Sequence, residues 1–338
     1  MIEVRPVATV DTEAMRAWYD VVLAAEAGRP LPAWPSFETA MRVWSVERDD
    51  LQDRFLVAEL DGVPVGAGRL TLHLRDNTHL AVLKVFVDPP RRRGGVGTAL
   101  LAALEELAAA HGRGTLLTEV THPPGQPGAG AAFAAARGYA VAGREVLKAA
   151  DLTTTADRWP GLAERAAARS EDYRLVWWTD TTPEEHLDSL AHLFSRFLDE
   201  IPLGDVDVRP QAWDADRVRE GEERRRRSGI RPLTVAAVAP DGSLAGYTTL
   251  VVHAGDTHAG IESTLVLPEH RGHSLGLAMK VLLHQQLVDL VPEATLVVTG
   301  NAGVNRWMNA VNADLGYRDL EECLEVQKLL DPTPGGTP

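Results

Sequence analysis

The run Val85-Phe86-Val87-Asp88-Pro89-Pro90-Arg91-Arg92-Arg93-Gly94-Gly95-Val96-Gly97-Thr98 sets an apolar, β-branched end against a basic, glycine-rich turn. Gly94, Gly95 and Gly97 fall close together, and glycine's freedom at positive φ lets successive main-chain N–H groups converge on one point. Where a helix begins at such a point, its unpaired N–H groups and partial positive charge favour phosphate oxygens. Arg92 and Arg93 add guanidinium groups able to make charge-assisted bonds to the same oxygens. These residues can cradle a pyrophosphate, with main-chain donors drawn from Arg92 to Thr98. The spacing is not that of the dinucleotide fingerprint, and no Gly-Lys-Ser/Thr follows to make a P-loop.

The flanking segments supply what must hold the turn. Lys84 to Val87 reads as a buried strand, and Val96, Leu100, Leu101, Leu104 and Leu107 fall at helical spacing, with Gly112 as a stop. The same landmarks then recur at a nearly constant separation. Asp61-Gly62 and Gly66 return as Asp241-Gly242 and Gly246; Pro89, Arg92, Gly97 and Ala99 return as Pro268, Arg271, Gly276 and Ala278; Gly138-Tyr139 returns as Gly316-Tyr317. Landmarks kept in register over most of a domain imply two copies of one fold. The second turn reads Arg271-Gly272-His273-Ser274-Leu275-Gly276. Ser274 can still present its N–H, but if its position needs positive φ it carries strain of about 1 kcal/mol or more.

Arg92-Arg93-Gly94-Gly95-Val96-Gly97 resembles the R/Q-x-x-G-x-G/A signature of the GNAT superfamily of acyl-CoA-dependent N-acyltransferases. The order of strands and helices along each copy is similar to that family's, so the resemblance covers nearly the whole chain. It implies an α/β (α+β) protein of two tandem GNAT folds, each a mixed central β-sheet flanked by helices. The expected division is 1–150, a connector over 151–172, a second copy over 173–331 and a disordered tail over 332–338. Acetyl-CoA or another short acyl-CoA is the implied cofactor, its pantetheine slotted between two diverging strands. The implied binding residues are Val85, Phe86, Val87 and Arg92 to Thr98 (Arg92, Arg93, Gly94, Gly95, Val96, Gly97, Thr98) in the first copy. In the second they are Leu265, Val266, Leu267, Arg271, Gly272, His273, Ser274, Leu275 and Gly276. The first copy, with both signature glycines, is the expected cofactor holder.

Catalytic residues are less marked. Many members of the family place a tyrosine four residues before the Gly-aromatic pair as acid for the leaving thiolate; here those positions are Ala134 and Asn312. Asn301 and Asn305 accompany Asn312 in the second copy, and both can also be read as helix caps. For a general base, Glu262 lies on the strand entering the second turn, with Glu119, His122 and His79 as candidates in the first copy. The implied reaction is direct attack by a primary amine of a small molecule on the thioester in a ternary complex, in a cleft between the copies. A non-catalytic acyl-CoA sensor, a structural tandem protein and a protein or peptide N-acetyltransferase are the competing readings.

Composition narrows the field. The chain has 338 residues, 45% hydrophobic and 24% charged, with a net charge of -14, which argues against a nucleic-acid partner. No apolar run reaches the length of a membrane span, and the start has no signal-peptide pattern, so a cytoplasmic protein, monomeric or homodimeric and without a membrane partner, is expected. The single cysteine, Cys323, excludes a cysteine-cluster metal site and is expected as a small buried residue. Ile201 to Ile230 reads as a long insertion; its Arg224-Arg225-Arg226-Arg227 reads as a solvated helix face balanced by Glu220, Glu222 and Glu223.

Overall fold

The computed structural model describes residues 1–31, 34–126, 128–253 and 256–330; the expected disordered tail lies outside them. The first copy runs β1 (Ile2–Val7), α1 (Thr12–Glu26), α2 (Phe37–Ser45), β2 (Leu51–Leu60), β3 (Val63–His73), β4 (Leu80–Val87), α3 (Val96–Ala110), β5 (Thr115–His122), α4 (Ala129–Ala135) and β6 (Ala140–Asp151). Two short helices follow, α5 (Leu152–Thr155) and α6 (Trp159–Ala167). The order then repeats as β7 (Arg174–Thr179), α7 (Leu187–Glu200), α8 (Ala215–Ser228), β8 (Ile230–Val238), β9 (Leu244–His253), β10 (His258–Val266), α9 (Leu275–Leu290), β11 (Leu296–Ala302), α10 (Arg306–Asp314) and β12 (Arg318–Leu329).

Local chemistry sets many of the borders. Asp11 and Ser36 cap α1 and α2 by accepting from Ala14 N at 3.0 Å and Thr39 N at 3.2 Å. The β2–β3 hairpin turns on Asp61 and Gly62, both at positive φ (53° and 80°). The segment expected as an insertion contains α8, which stands where α2 stands in the first copy; only the loop before it is extra. Asp214 caps α8 by accepting from Arg217 N at 2.8 Å.

Both copies share one 12-stranded sheet, ordered β1-β2-β3-β4-β5-β12-β6-β11-β10-β9-β8-β7. The last strands are exchanged. β12 pairs with β5 of the first copy, β6 pairs with β11 of the second, and the two lie antiparallel with Cys323 opposite Glu145. α3 covers one face of the first copy, with Leu100 and Leu104 against Leu70, Leu72 and Leu83. In the second copy α9 does the same, joined by Trp159, Leu162 and Ala166 of α6. On the opposite face α1 and α2 close over an aromatic core, and α7 and α8 over another. The loop before α8 crosses onto the first copy, where Arg209 N donates to Asn77 Oδ1 at 2.7 Å and Thr115 Oγ1 donates to Asp207 at 2.7 Å. His79 Nε2 also lies 3.2 Å from the Asp207 carbonyl.

Candidate functional site

Each copy contains a slot. β4 and β5 pair only at Leu80–Thr115, Ala81–Leu116 and Val82–Leu117, and β10 and β11 only at His258–Leu296, Ala259–Val297 and Gly260–Val298. Beyond these pairs the strands part, leaving main-chain groups of Leu83 to Val87 and of Ile261 to Val266 facing a gap that an extended amide-bearing chain can pair with. Val85, Phe86 and Val87, like Leu265, Val266 and Leu267, turn their side chains into the hydrophobic clusters. Their polar contribution to the slot is the main chain.

At the end of each slot lies a glycine turn. Gly95 and Ser274 stand immediately before α3 and α9 with no side-chain cap, so the first N–H groups of both helices are open. Ser274 does sit at positive φ, where strain was expected, but the first turn carries the same load. Arg93 and Gly95 take positive φ in the first (67° and 90°), Gly272 and Ser274 in the second (91° and 56°). Each turn therefore has one glycine and one strained residue at its two left-handed positions. Arg92 does not point at the cradle: its Nε donates to Val87 O at 3.2 Å and its Nη2 to Ala25 O at 3.0 Å. Arg271 repeats this, donating to Val266 O at 3.1 Å and to Glu200 at 2.8 Å. Both arginines tie a strand end to the end of α1 or α7. Arg93 remains exposed at the first turn. At the second, Tyr173 packs against His273, with ring centroids 5.2 Å apart and planes tilted by 49°, and its hydroxyl lies 3.1 Å from His270 Nδ1. A Cβ on Gly276 would meet nothing, and one on Gly97 only ordinary contacts with Phe133 and Val87, so neither turn is closed by its neighbours. Gly94 and Thr98 flank the first turn, Thr98 accepting from Arg137 at 2.7 Å; Val96 and Leu275 bury their side chains beneath the two helices.

The copies differ where the slot meets the opposite face. β10 carries a β-bulge between Ile261 and Ser263, with Glu262 as the extra residue, whereas β4 pairs with β3 without a break. A bulged residue leaves its main-chain groups outside the ladder. Glu262 accepts from Arg225 Nη2 at 2.7 Å. Beside the bulge is a cavity of about 270 Å³ walled by Trp178, Phe194, Phe197, Trp213 and Tyr247. It lies within the second copy, under α7 and α8, although Arg224 on its wall pairs with Asp50 of the first copy at 3.5 Å. Thus Arg226 and Arg227 form the solvated face expected, balanced by Glu223, while Arg224 and Arg225 reach other elements. The matching region of the first copy is packed with Trp18, Trp34, Trp44, Phe55 and Phe86 edge to face, and Trp18 Nε1 donates to Leu56 O at 3.0 Å and Gly68 O at 3.1 Å.

The asparagines of the second copy separate into two roles. Asn305 caps α10, accepting from Met308 N at 3.2 Å. Asn301 and Asn312 are buried together, Asn312 donating to Asn301 Oδ1 at 2.8 Å and accepting from Lys280 Nζ at 2.8 Å. Lys280 is fully enclosed, and burial lowers its pKa to about 7; His284, one turn on, is pushed down to about 3 by burial and by Lys280. In the first copy Glu119 pairs with Lys84 across the slot, and Lys84 holds its carboxyl below the ordinary range. Glu119 stands opposite Glu325 of the exchanged β12. Burial, with Glu145 and Glu119 nearby, pushes Glu325 up to about 7. His122 is buried 3.8 Å from Glu322. Cys323 is buried and its thiol is raised to about 12. Sequence reading missed Lys84, Glu145, Glu325 and Lys280. Lys280 and His284 had left a trace, two basic residues four apart in the otherwise apolar run Leu275 to His284.

The comparisons with known proteins bear on this arrangement. Residues 16–139 match the family model described as the acetyltransferase (GNAT) family. A tandem GNAT protein from the clavulanic acid biosynthesis pathway is 30% identical over 98% of this chain and 100% of its own, with a TM-score of 0.79. The chain belongs to the GNAT family. The GNAT fold is further matched by a GCN5-related N-acetyltransferase from Sphaerobacter thermophilus, at 15% identity, TM-score 0.64, over 98% of this chain and 96% of that one. A putative acetyltransferase from Pyrococcus horikoshii is similar at 16% identity, TM-score 0.57, over 98% of this chain and 90% of that one. No curated protein sequence matches the chain. The family model stops within the first copy, just before β6, and the second copy is identified as a GNAT fold by its element order and by the full-length tandem relative. GNAT proteins generally use acetyl-CoA, and the open helix N-termini, the slots and the positive-φ turns fit that group. Among the described residues no helix is long and apolar enough to cross a membrane.

Proposed function

We propose that this GNAT protein transfers an acetyl group from acetyl-CoA to a primary amine of a small molecule, and that the second copy is the reaction site. The observation that carries this reading is the bulge at Glu262, which lies where β10 leaves β11 and opens onto the aromatic-walled cavity. The amine nitrogen attacks the thioester carbonyl in the slot; the C–N bond forms, the C–S bond breaks, and the electron pair goes to sulfur. Main-chain N–H groups freed by the bulge receive the oxyanion, and Glu262 takes the amine proton directly or through water once Arg225 swings aside. The aromatic walls suit an amine with an apolar body. The first turn, Arg92 to Thr98, serves as a second acyl-CoA site.

Millimolar acetyl-CoA is expected to raise the melting temperature by several degrees, because a ligand that binds only the folded state stabilises it. Thiol release should be measured over a panel of amines. Glu262→Gln is expected to lower kcat about 100-fold with little change in KM, and Gly276→Trp to abolish turnover while Gly97→Trp spares it. Turnover lost in Gly97→Trp and kept in Gly276→Trp would move the chemistry to the first copy. A second reading, acyl-CoA binding without turnover in the first copy, is favoured by the aromatic packing and by the Lys84–Glu119 pair across its slot. It predicts bound CoA that survives Gly276→Trp with no thiol released.

A further inference from the structure

Lys280 has 0% exposure in the middle of α9, and makes no ion pair among the described residues. Its single hydrogen bond begins a chain: Lys280 Nζ to Asn312 Oδ1 at 2.8 Å, Asn312 Nδ2 to Asn301 Oδ1 at 2.8 Å, and Asn301 Nδ2 to Asn309 Oδ1 at 2.7 Å. The chain runs from the interior of α9 through α10 to the part of β11 that has already left β10, which is the wall of the second slot.

The first copy supplies the comparison. Counted from the starts of α9 and α3, Lys280 corresponds to Leu101; counted from the starts of β11 and β5, Asn301 corresponds to Val120; counted from the Gly-Tyr pairs, Asn312 corresponds to Ala134. All three counterparts are apolar and belong to, or pack against, one hydrophobic cluster. At these three positions the first copy is wholly apolar, and its polar contacts lie one turn further along the helix, where Tyr139 donates to Glu105 at 3.0 Å. A buried amine with no carboxylate beside it opposes folding, so the three polar residues are not there for the core.

Resting on the reading that the second copy transfers the acyl group, we infer that Lys280 is a positioning residue for the leaving sulfur, acting through Asn312 and Asn301 on the slot wall. When the C–S bond breaks the electron pair stays on sulfur, and the thiolate is stabilised by the Asn312 and Asn301 amides with the Lys280 ammonium behind them; the sulfur then takes a proton from water, and the proton that Glu262 took from the amine neutralises the hydroxide left behind, so that CoA departs as the thiol. The groups facing Lys280 are Asn312 from α10, His284 one turn along α9, and Tyr317 before β12, whose ring centre is 5.5 Å from Nζ and whose hydroxyl lies 2.8 Å from His284 Nε2. His284 stays neutral and Tyr317 protonated through the ordinary range, both because of burial. Lys280 alone changes charge there, and its charged form is lost as pH rises past about 7.

The decisive variant gives the second copy the first copy's residues: Lys280→Leu, Asn301→Val and Asn312→Ala together. It is expected to melt at or above the wild-type temperature and to bind acetyl-CoA within about threefold of wild type, yet to lose about 100-fold in kcat, the scale of a lost oxyanion donor. The falling limb of kcat above about pH 7 should vanish with it. Retention of wild-type kcat and pH profile overturns the inference. A second readout needs no acceptor: the chain has four lysines, and ¹³C-lysine NMR, with Lys280→Met to assign the signal, follows the Lys280 titration. Free CoA should raise its midpoint and desulfo-CoA should not. Equal responses, or none while acetyl-CoA still binds, overturn the inference. No response to any CoA species in any copy overturns the acyltransferase reading beneath it as well.

Discussion

Glu325 shows how a side chain's neighbours, and not its own sequence context, decide its chemistry. Its strand reads as an ordinary alternating one, but β12 lies between β5 and β6, so Glu325 faces Glu119 and shares its surroundings with Glu145. Its folded pKa, about 7, is above that of an unfolded glutamate. The folded state then binds more protons than the unfolded state between about pH 4 and pH 7, and stability falls as pH rises through that window. Glu325→Gln is therefore expected to be nearly neutral in stability at pH 4 and increasingly stabilising up to pH 7, read from denaturant midpoints at fixed salt. A pH-independent difference would mean that neither burial nor the neighbouring carboxylates raise the Glu325 pKa. Arg92 gives the converse lesson. Its basic character invited a phosphate role, yet its bonds to Val87 O and Ala25 O make it a brace.

At the scale of elements, the glycine turns and the long helices behind them were legible, because a glycine run before a leucine-patterned helix has few alternatives. Which turn positions need positive φ was not. The family signature drew attention to Gly95 and away from Arg93, although the second copy's Gly272 marks that same position as left-handed. Ser274→Gly is expected to raise stability by about 0.5–1 kcal/mol, since relief of left-handed strain outweighs the extra freedom of the unfolded chain, with acetyl-CoA binding unimpaired in calorimetry. The bulge in β10 also left a mark that went unread. The separation between repeats changes by one residue along this strand, as Ala81 and Ala259 hold equivalent ladder positions while Val87 and Val266 hold the next equivalent pair with the shift already made. Periodicity alone hides such a shift, because a bulge simply starts the alternation again.

At the scale of the molecule, exchange of β6 and β12 makes the two copies interdependent. Without β12 the first copy would present β5 as an open edge, and without β6 the second would present β11. Residues 1–172 alone, and 173–338 alone, are each expected to be insoluble or self-associated, while co-expression of both restores a soluble pair; gel filtration with heteronuclear NMR reads the outcome. A monomeric, well-folded half would show that each copy closes its own sheet when free of the other. The salt links from the second copy's α8 to the first, Arg217 with Asp76 and Arg75 with Glu220, add a second seam on one face.

By itself the sequence determined the number of copies, most of the order of their elements, the family and the two glycine turns before the long helices α3 and α9, because these depend on composition and spacing along one stretch of chain. Tertiary structure decided the rest. Strand exchange could not be read, since β6 and β12 carry similar patterns and either fits beside either β5 or β11. The aromatic cavity beside Glu262, the filled counterpart under α1 and α2, and the enclosure of Lys280 among asparagines all depend on which faces meet. At the paired glycine turns, local sequence left two helix N-termini uncapped, and long-range packing decided what stands at the far end of each slot.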